Sequence, residues 1–164
     1  MVLLSVIVYL VLNGIATTTK IKGNFHCTKP PKECTDCVEW NGSLYNFINT
    51  TQSYENSSMI CQHKSNDTHL VYIESKEENE FVTRMLATFG SRVTPWIGLS
   101  DGKSEGNWTW GNHRAEYFNW DHGEPNGERG ENNVIINLVH DGKWYDVPPG
   151  WHCPTVCEKK LHAR

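Results

Sequence analysis

The sequence lacks an excess of positive charge. Its 15 Lys and Arg residues are outnumbered by 19 Asp and Glu residues, which gives a formal net charge of −4. Recognition of nucleic acid normally requires a basic surface that contacts phosphate groups. We therefore expect no nucleic-acid partner.

The sequence also lacks an apolar run long enough to cross a bilayer. The longest run, at residues 1–12, falls well short of the roughly 20 residues that a transmembrane helix needs. Gly14 and Ala16 then supply the small residues of a plausible cleavage point. We predict a signal peptide at residues 1–16 and a secreted, extracellular product without membrane insertion; the alternative is an uncleaved anchor.

Patterns of catalytic and zinc-binding residues are missing as well. The eight histidines are scattered and form no His-x-x-x-His spacing. Cys34 and Cys37 form a Cys-x-x-Cys pair, but no strand-to-helix context accompanies it. A glycoside hydrolase would need a defined pair of carboxylates, and no motif indicates one. We therefore expect a binding protein and not an enzyme.

Cysteines and glycosylation sequons agree with export. All six cysteines follow residue 16, and an even number in an exported chain favours disulfide bonds. Five Asn-x-Ser/Thr sequons predict a glycoprotein. They begin at Asn41, Asn49, Asn56, Asn66 and Asn107.

Apolar periodicity predicts two helices. The first spans residues 52–63. The second begins at Ser75, which forms a capping-box pattern with Glu78, and ends at Gly90. Its apolar side chains repeat at helical spacing, and we interpret them as core residues: Phe81, Val82, Met85, Leu86 and Phe89.

Short strands are predicted on both sides of these helices. Asp141-Gly142 gives a hairpin signal between two of them. The predicted strand regions are 38–47, 69–73, 96–99, 134–139, 143–147 and 155–159. A long loop at residues 100–133, rich in Gly, Asn, Asp, Glu and aromatic residues, separates the central ones. This order of elements indicates an α+β domain.

The long loop concentrates side chains that carry oxygen. Calcium prefers roughly six to eight oxygen ligands from carboxylates, amides and backbone carbonyls. Taken singly, the carboxylates fit a solvated polar loop. Their order favours an ion site: Glu124-Pro-Asn126 comes first, then Glu131, and then Asp146 in the predicted hairpin.

In this order the motifs resemble those of the C-type lectin domain family. They are Trp96-Ile-Gly-Leu99, Glu105-Gly106, Trp108-Thr-Trp110, Glu124-Pro-Asn126, Glu131-Asn132, Trp144-Tyr-Asp146 and Cys157-Glu158. The resemblance predicts a C-type lectin domain at residues 34–160, after an N-terminal extension at residues 17–33. It implies a C-type lectin-like fold with two helices, small antiparallel sheets and a long calcium-binding loop. The C-terminal part is most similar to the lectin domains of matrix proteoglycans.

The resemblance also implies residue roles. Glu124, Asn126 and Glu131 would bind calcium and hydrogen-bond two sugar hydroxyls that the ion coordinates. Asp146 would give the same ion a side-chain oxygen and its backbone carbonyl, and it would also belong to the sugar-binding residues. The Glu-Pro-Asn order is similar to that of members that prefer mannose-type sugars. A second calcium ion would use Asp101, Glu105 and Asn132.

Two departures from the family pattern concern the site. Tyr145 stands where the family has Asn, so one calcium oxygen and one hydrogen-bond donor to the sugar are missing. Tyr145 and Trp151 are instead candidates for exposed aromatic rings that stack on a sugar. At the second calcium site, Gly127 stands at the position of a further ligand.

The cysteine pattern departs from the family too. The resemblance implies a disulfide between Cys61 and Cys157. The family's second disulfide would join the positions of Asn133 and Pro149, so both of its cysteines are missing. We predict that Cys153 pairs with an N-terminal cysteine, which is Cys27, Cys34 or Cys37.

Two functions remain in competition. The first is a secreted, calcium-dependent carbohydrate-binding protein acting in recognition or innate defence. The alternative is a module of the same fold that binds a protein partner and has a weakened or lost sugar site. A single weak sugar site would gain avidity from a homo-oligomer, which is a further expectation.

Overall fold

The computed structural model describes residues 37–161, so the predicted signal peptide and N-terminal extension lie outside the described residues. Within this range lie two α-helices and nine strands. They are β1 (Cys37–Trp40), β2 (Ser43–Gln52), α1 (Tyr54–Lys64), β3 (Thr68–Leu70), α2 (Lys76–Ala87), β4 (Trp96–Ser100), β5 (Thr109–Trp110), β6 (His113–Arg114), β7 (Asn133–Asn137), β8 (Lys143–Val147) and β9 (Cys153–Lys160). None of the helices in residues 37–161 has the length and apolar character to cross a membrane.

Strand β9 organises the sheet. It pairs antiparallel with β2 and β3, and parallel with β4 at Trp96 and Thr155. Strand β4 also pairs with β5 and β7, and β7 pairs with β8. The α+β architecture is therefore confirmed, but the described strands form one connected sheet of mixed direction and not separate antiparallel sheets.

Both helices begin at a serine cap. Ser53 Oγ accepts from the backbone N–H of Asn56 at 3.3 Å, and this sets the start of α1 two residues later than predicted. Ser75 Oγ accepts from the N–H of Glu78 at 3.1 Å, as the capping box predicts. Glu78 departs from that pattern because its carboxylate accepts from the Glu74 N–H and from the Tyr45 hydroxyl, at 2.9 and 2.7 Å.

The predicted apolar stripe of α2 is confirmed except at its last member. Phe81, Val82, Met85 and Leu86 are buried in the main core. The prediction that Phe89 also packs in the core is wrong, because the helix ends at Ala87 and leaves the Phe89 side chain 53% exposed. Its ring contacts that of Phe47, with centroids 4.5 Å apart.

The structure confirms one cysteine prediction and corrects another. Cys61 and Cys157 form a disulfide that ties α1 to β9. Cys153, however, is a free, buried thiol, so the prediction that it pairs with an N-terminal cysteine is wrong. At the start of β9 its side chain packs in an apolar cluster with Trp96 and Val147. Burial there raises the pKa of the Cys153 thiol to about 11, which keeps it protonated.

Candidate functional site

An aromatic cluster beneath the long loop fixes the backbone that leads into the site. The indole of Trp120 packs edge to face against Trp108 and Trp144, with ring centroids 4.8 and 6.0 Å apart. The neighbouring backbone bonds to β8: the Trp144 N–H donates to Asn119 O at 3.0 Å, and the Asp121 N–H donates to Trp144 O at 3.1 Å. The segment just before the Glu-Pro-Asn motif is therefore held along β8.

The Glu-Pro-Asn motif follows in a tight turn. The Glu124 N–H donates to Asp121 O at 3.1 Å, and the peptide bond between Glu124 and Pro125 is cis. The Asn126 side-chain amide donates to Glu124 Oε2 at 2.8 Å. The two predicted ligands of this motif thus have their polar groups in contact.

Asp146 brings a predicted ligand from a distant segment to the same place. Its buried carboxylate accepts from the N–H of Asn126 and from the N–H of Gly127, both at 3.0 Å. The Asp146 carboxyl is also within hydrogen-bonding reach of the Glu124 carboxyl. The end of β8 and the loop turn therefore meet at one cluster of oxygens.

Negative charge accumulates in this cluster. Partial burial, a hydrogen bond with Asp146 and the charges of Asp146, Glu131 and Asp121 together raise the pKa of Glu124 to about 7. Partial burial and the charge of Asp146 also raise the pKa of Glu131. Like charges held this close favour either a bound proton or a bound cation.

Gly127 is required by space and not by its backbone angles. A Cβ atom at this position would lie 2.1 Å from the Glu131 Cβ, far inside van der Waals contact. The Glu131 side chain therefore packs over the glycine, where any other residue would displace it.

The ligand atoms of Glu124, Asn126, Glu131 and Asp146 are of the types that calcium binds, but the positions of the side chains do not form a complete calcium site. Carboxylate and amide oxygens are the ligands that calcium prefers. Yet among residues 37–161 no three or more His, Cys, Asp or Glu side chains are arranged to hold a metal ion. Glu124, Asn126 and Asp146 are in contact, while Glu131 is linked to them by its charge.

Tyr145 lies beside this cluster but is bonded elsewhere. Its hydroxyl donates to Asp121 Oδ2 and lies against His140 Nδ1. His140 Nδ1 is 2.6 Å from the same Asp121 oxygen. These bonds leave Tyr145 half-buried, in contrast to Trp151, which is exposed as predicted.

Asp121 and His140 are residues of this region to which the sequence assigned no role. The hydrogen bond with His140, followed by that from the His122 N–H, holds the pKa of Asp121 below its usual range. The two residues are 19 positions apart, and His140 lies in a short 3-10 turn between β7 and β8. No sequence motif spans that separation, and the pair is brought together where the Asp121 N–H bonds to Trp144 O on β8.

The ligands predicted for a second calcium ion line a cleft in another part of the long loop. It has a volume of about 460 Å³ and is lined by Asp101, Glu105, Asn132, Lys103 and Arg129, among others. Asp101 is 2% exposed, and its Oδ2 accepts from the Gly106 N–H at 2.8 Å. Asp101 Oδ1 is buried without a hydrogen-bond partner among residues 37–161, which fits an oxygen reserved for a cation.

Comparison with known proteins decides the family. The sequence pattern of the Lectin C-type domain matches residues 50–159. The chain belongs to the C-type lectin domain family. The hepatic lectin of Gallus gallus is 34% identical over 125 residues, covering 74% of this chain and 57% of that protein. The chain thus spans little more than half the length of this relative.

Solved C-type lectin structures match the fold. The C-type lectin CEL-I from Cucumaria echinata superimposes with a TM-score of 0.73 at 24% identity, covering 79% of this chain and 98% of that one. The cow C-type carbohydrate-recognition domain of CD23, crystallised in the presence of GlcNAc2Man3 oligosaccharide, gives a TM-score of 0.69 at 28% identity. It covers 84% of this chain and 100% of that one.

These matches confirm two predictions, the fold and the absence of enzymatic function. The chain has the C-type lectin fold with the expected disulfide between Cys61 and Cys157. The C-type lectin domain is a non-enzymatic binding module. Carbohydrate binding is typical of the recognition domains of this family, and a disulfide-bonded domain of this kind is consistent with an extracellular protein.

Proposed function

We propose that this protein is secreted and binds carbohydrate through calcium, with a preference for mannose-type sugars, in recognition or innate defence. The observation that carries the proposal is the contact between two distant segments. Asp146 at the end of β8 accepts hydrogen bonds from the Asn126 and Gly127 N–H groups, while its carboxyl meets that of Glu124. Like charges at this position are stabilised by a divalent cation.

The ligands divide the work by chemistry. Glu124, Glu131 and Asp146 would give carboxylate oxygens to calcium, and Asn126 would give its amide oxygen. The ion supplies a Lewis-acidic centre that two neighbouring sugar hydroxyls can approach. The carboxylates accept hydrogen bonds from those hydroxyls, and the amide N–H of Asn126 donates one. Tyr145 borders this surface and would contact the sugar with its half-buried ring.

A second calcium ion is proposed for the cleft near Asp101. The unpartnered Asp101 Oδ1 supports it, together with Glu105 and Asn132 in the lining of the same cleft. Lys103 is also in that lining, but its ammonium is bonded to Gly111 O and Asn112 Oδ1, at 2.9 and 3.0 Å. This ion would stabilise the loop and would not touch sugar.

Retention on immobilised mannan tests the sugar proposal. We expect the mature protein to bind in calcium, to be released by EDTA and to be eluted by free mannose more readily than by galactose. Circular dichroism in EDTA checks that release is not unfolding. Binding that survives EDTA, or elution by galactose in preference to mannose, would contradict the proposed chemistry.

The raised pKa of Glu124 predicts that calcium binding weakens in mild acid. Its pKa near 7 means that calcium must displace a proton at lower pH, so affinity should fall as pH drops through that value. In EDTA, where no calcium is bound, the Glu124 carboxyl affects folding stability, and lower pH should favour the folded state. Between the usual 4.5 and about 7 the folded protein binds a proton that the unfolded chain releases, so its contribution to stability falls as pH rises. Calorimetric titration at several pH values, with counted proton release, measures both trends.

A protein-binding module is the second candidate, and Tyr145 favours it. The tyrosine hydroxyl is engaged by Asp121 and His140, so it does not replace the hydrogen-bond donor that Asn gives to sugar in the family. Absence of retention on a broad panel of glycans, with intact folding and measurable calcium binding, would support this second function.

Surface sequons agree with a secreted glycoprotein. All five sequon asparagines are exposed: Asn41, Asn49, Asn56, Asn66 and Asn107. We propose that they carry N-linked glycans. A homo-oligomer, which would raise avidity for glycan surfaces, is part of the same proposal.

A further inference from the structure

Three segments of the chain meet at the Asp121 carboxylate. Its Oδ2 accepts from the Tyr145 hydroxyl on β8 and lies 2.6 Å from His140 Nδ1, in the turn before β8. Its Oδ1 accepts from the His122 N–H at 2.8 Å. Both oxygens of this carboxylate are therefore used, and its orientation is fixed from two sides.

The same residue controls the turn that presents Glu124. The backbone carbonyl of Asp121 accepts from the Glu124 N–H at 3.1 Å, and its own N–H donates to Trp144 O at 3.1 Å. A shift of Asp121 would therefore move the start of the Glu-Pro-Asn turn relative to β8, which carries Asp146. The side-chain bonds to His140 and Tyr145 oppose such a shift.

The hydrogen bonds of Asp121 are important for this loop because the chain lacks a second disulfide there. The family resemblance places a second disulfide at the positions of Asn133 and Pro149, and neither residue is a cysteine, so no cross-link between them restrains the end of the long loop. A cation site gains affinity when its ligands are held in place before binding, and groups that orient the ligands commonly supply this restraint.

The Asp121 and His140 side chains lie outside the apolar core and can be altered separately from it. The His140 side chain is 54% exposed and that of Asp121 is 23% exposed. Neither belongs to the apolar clusters that contain Trp144 and Val147. Removing the imidazole therefore takes away its polar contacts with Asp121 and Tyr145 and its ring contact with Tyr145, but removes no member of the buried core.

We propose that His140 and Asp121 are positioning residues, which hold Tyr145 and the turn before Glu124 so that the cation site is ordered before calcium arrives. The inference rests on the proposed calcium site. It assigns a role to two residues that are not ligands themselves. It also gives Tyr145 a role that does not require its hydroxyl to touch sugar.

Calcium titration of the wild type and four variants tests this inference. For H140A we expect calcium affinity about tenfold below the wild type, as is usual when a group that orients a metal ligand is removed. H140N keeps an amide N–H near the position of Nδ1 and should recover most of the loss. H63A removes an exposed histidine on α1 and serves as the matched control, with unchanged affinity.

Thermal unfolding in EDTA separates positioning from general stability. We expect the melting temperatures of wild type, H140A and H140N to agree within a few degrees, because a partly exposed hydrogen bond contributes little to stability. D121N, which keeps one acceptor oxygen, should fall between H140A and the wild type in calcium affinity. These results together would support the inference.

Failure of the inference differs from failure of the calcium proposal. If the wild type does not bind calcium, the proposed function is wrong and the cluster has no site to position. If the wild type binds but H140A binds equally well, the positioning role is overturned. It is also overturned if H140N binds as weakly as H140A, or if H140A in EDTA melts far below the wild type.

Discussion

The variant E124Q should lose calcium-dependent retention on mannan. Glutamine has nearly the same shape as glutamate but carries no charge, so it removes one anionic calcium ligand and one strong hydrogen-bond acceptor for sugar. A hydrogen bond to a charged group contributes about 1.5–3 kcal/mol, so calcium affinity should fall at least about tenfold to a hundredfold. Calorimetric titration with calcium, followed by mannan retention, measures both effects.

The same variant should be no less stable than the wild type in EDTA. Glu124 is crowded by the charges of Asp146, Glu131 and Asp121, which raise its pKa to about 7. Replacing it with a neutral side chain removes that repulsion at neutral pH. Weaker binding combined with unchanged or higher melting temperature would therefore separate loss of a ligand from misfolding.

E116Q is the matched control for E124Q. Glu116 is an exposed carboxylate in the same long loop, so its replacement changes the net charge by the same amount. We expect wild-type calcium affinity and mannan retention from it. If E124Q also kept wild-type affinity, the cluster of Glu124, Asn126 and Asp146 would not be the calcium site, and the cleft near Asp101 would become the leading candidate.

Short-range patterns in the sequence predicted much of the fold. The Ser75 and Glu78 pair marked the start of α2 because a cap is a local hydrogen bond between a side chain and a nearby N–H. The Asp141-Gly142 turn marked the β7–β8 hairpin because its left-handed backbone is encoded by those residues. The end of α2 was harder, since the apolar spacing continues to Phe89 after the helix has stopped.

Long-range contacts at the site were only partly predictable. The contact between Asp146 and the Glu-Pro-Asn turn followed from the family motif, although the two are 20 residues apart. The partners of Tyr145 did not, because His140 and Asp121 belong to no motif and meet where the Asp121 backbone bonds to Trp144 on β8. The free, buried state of the Cys153 thiol was likewise not predictable, since cysteine occurs both in disulfides and as an apolar residue of protein cores.

Removing the disulfide between Cys61 and Cys157 should cause the largest loss of stability. The bond closes a loop of 96 residues and joins α1 to the central strand β9. Chain entropy predicts that such a cross-link stabilises the fold by about 4–5 kcal/mol. That is a large share of the roughly 5–15 kcal/mol by which domains of this kind are stable. We expect the double variant C61A/C157A to show this loss in urea unfolding.

C153A is the matched control because it also removes a buried sulfur from β9 but breaks no cross-link. A small cavity at this position should cost about 1 kcal/mol, typical of a single substitution. The double variant removes two buried sulfurs and C153A removes one, so the loss in excess of twice that of C153A measures the cross-link. If both lost the same amount, the pairing of β9 with β2, β3 and β4 would be sufficient to hold α1 in place, and the disulfide would contribute little to stability. In that case the cation site should also survive reduction, since β8 and the loop turn that form it do not contain either cysteine.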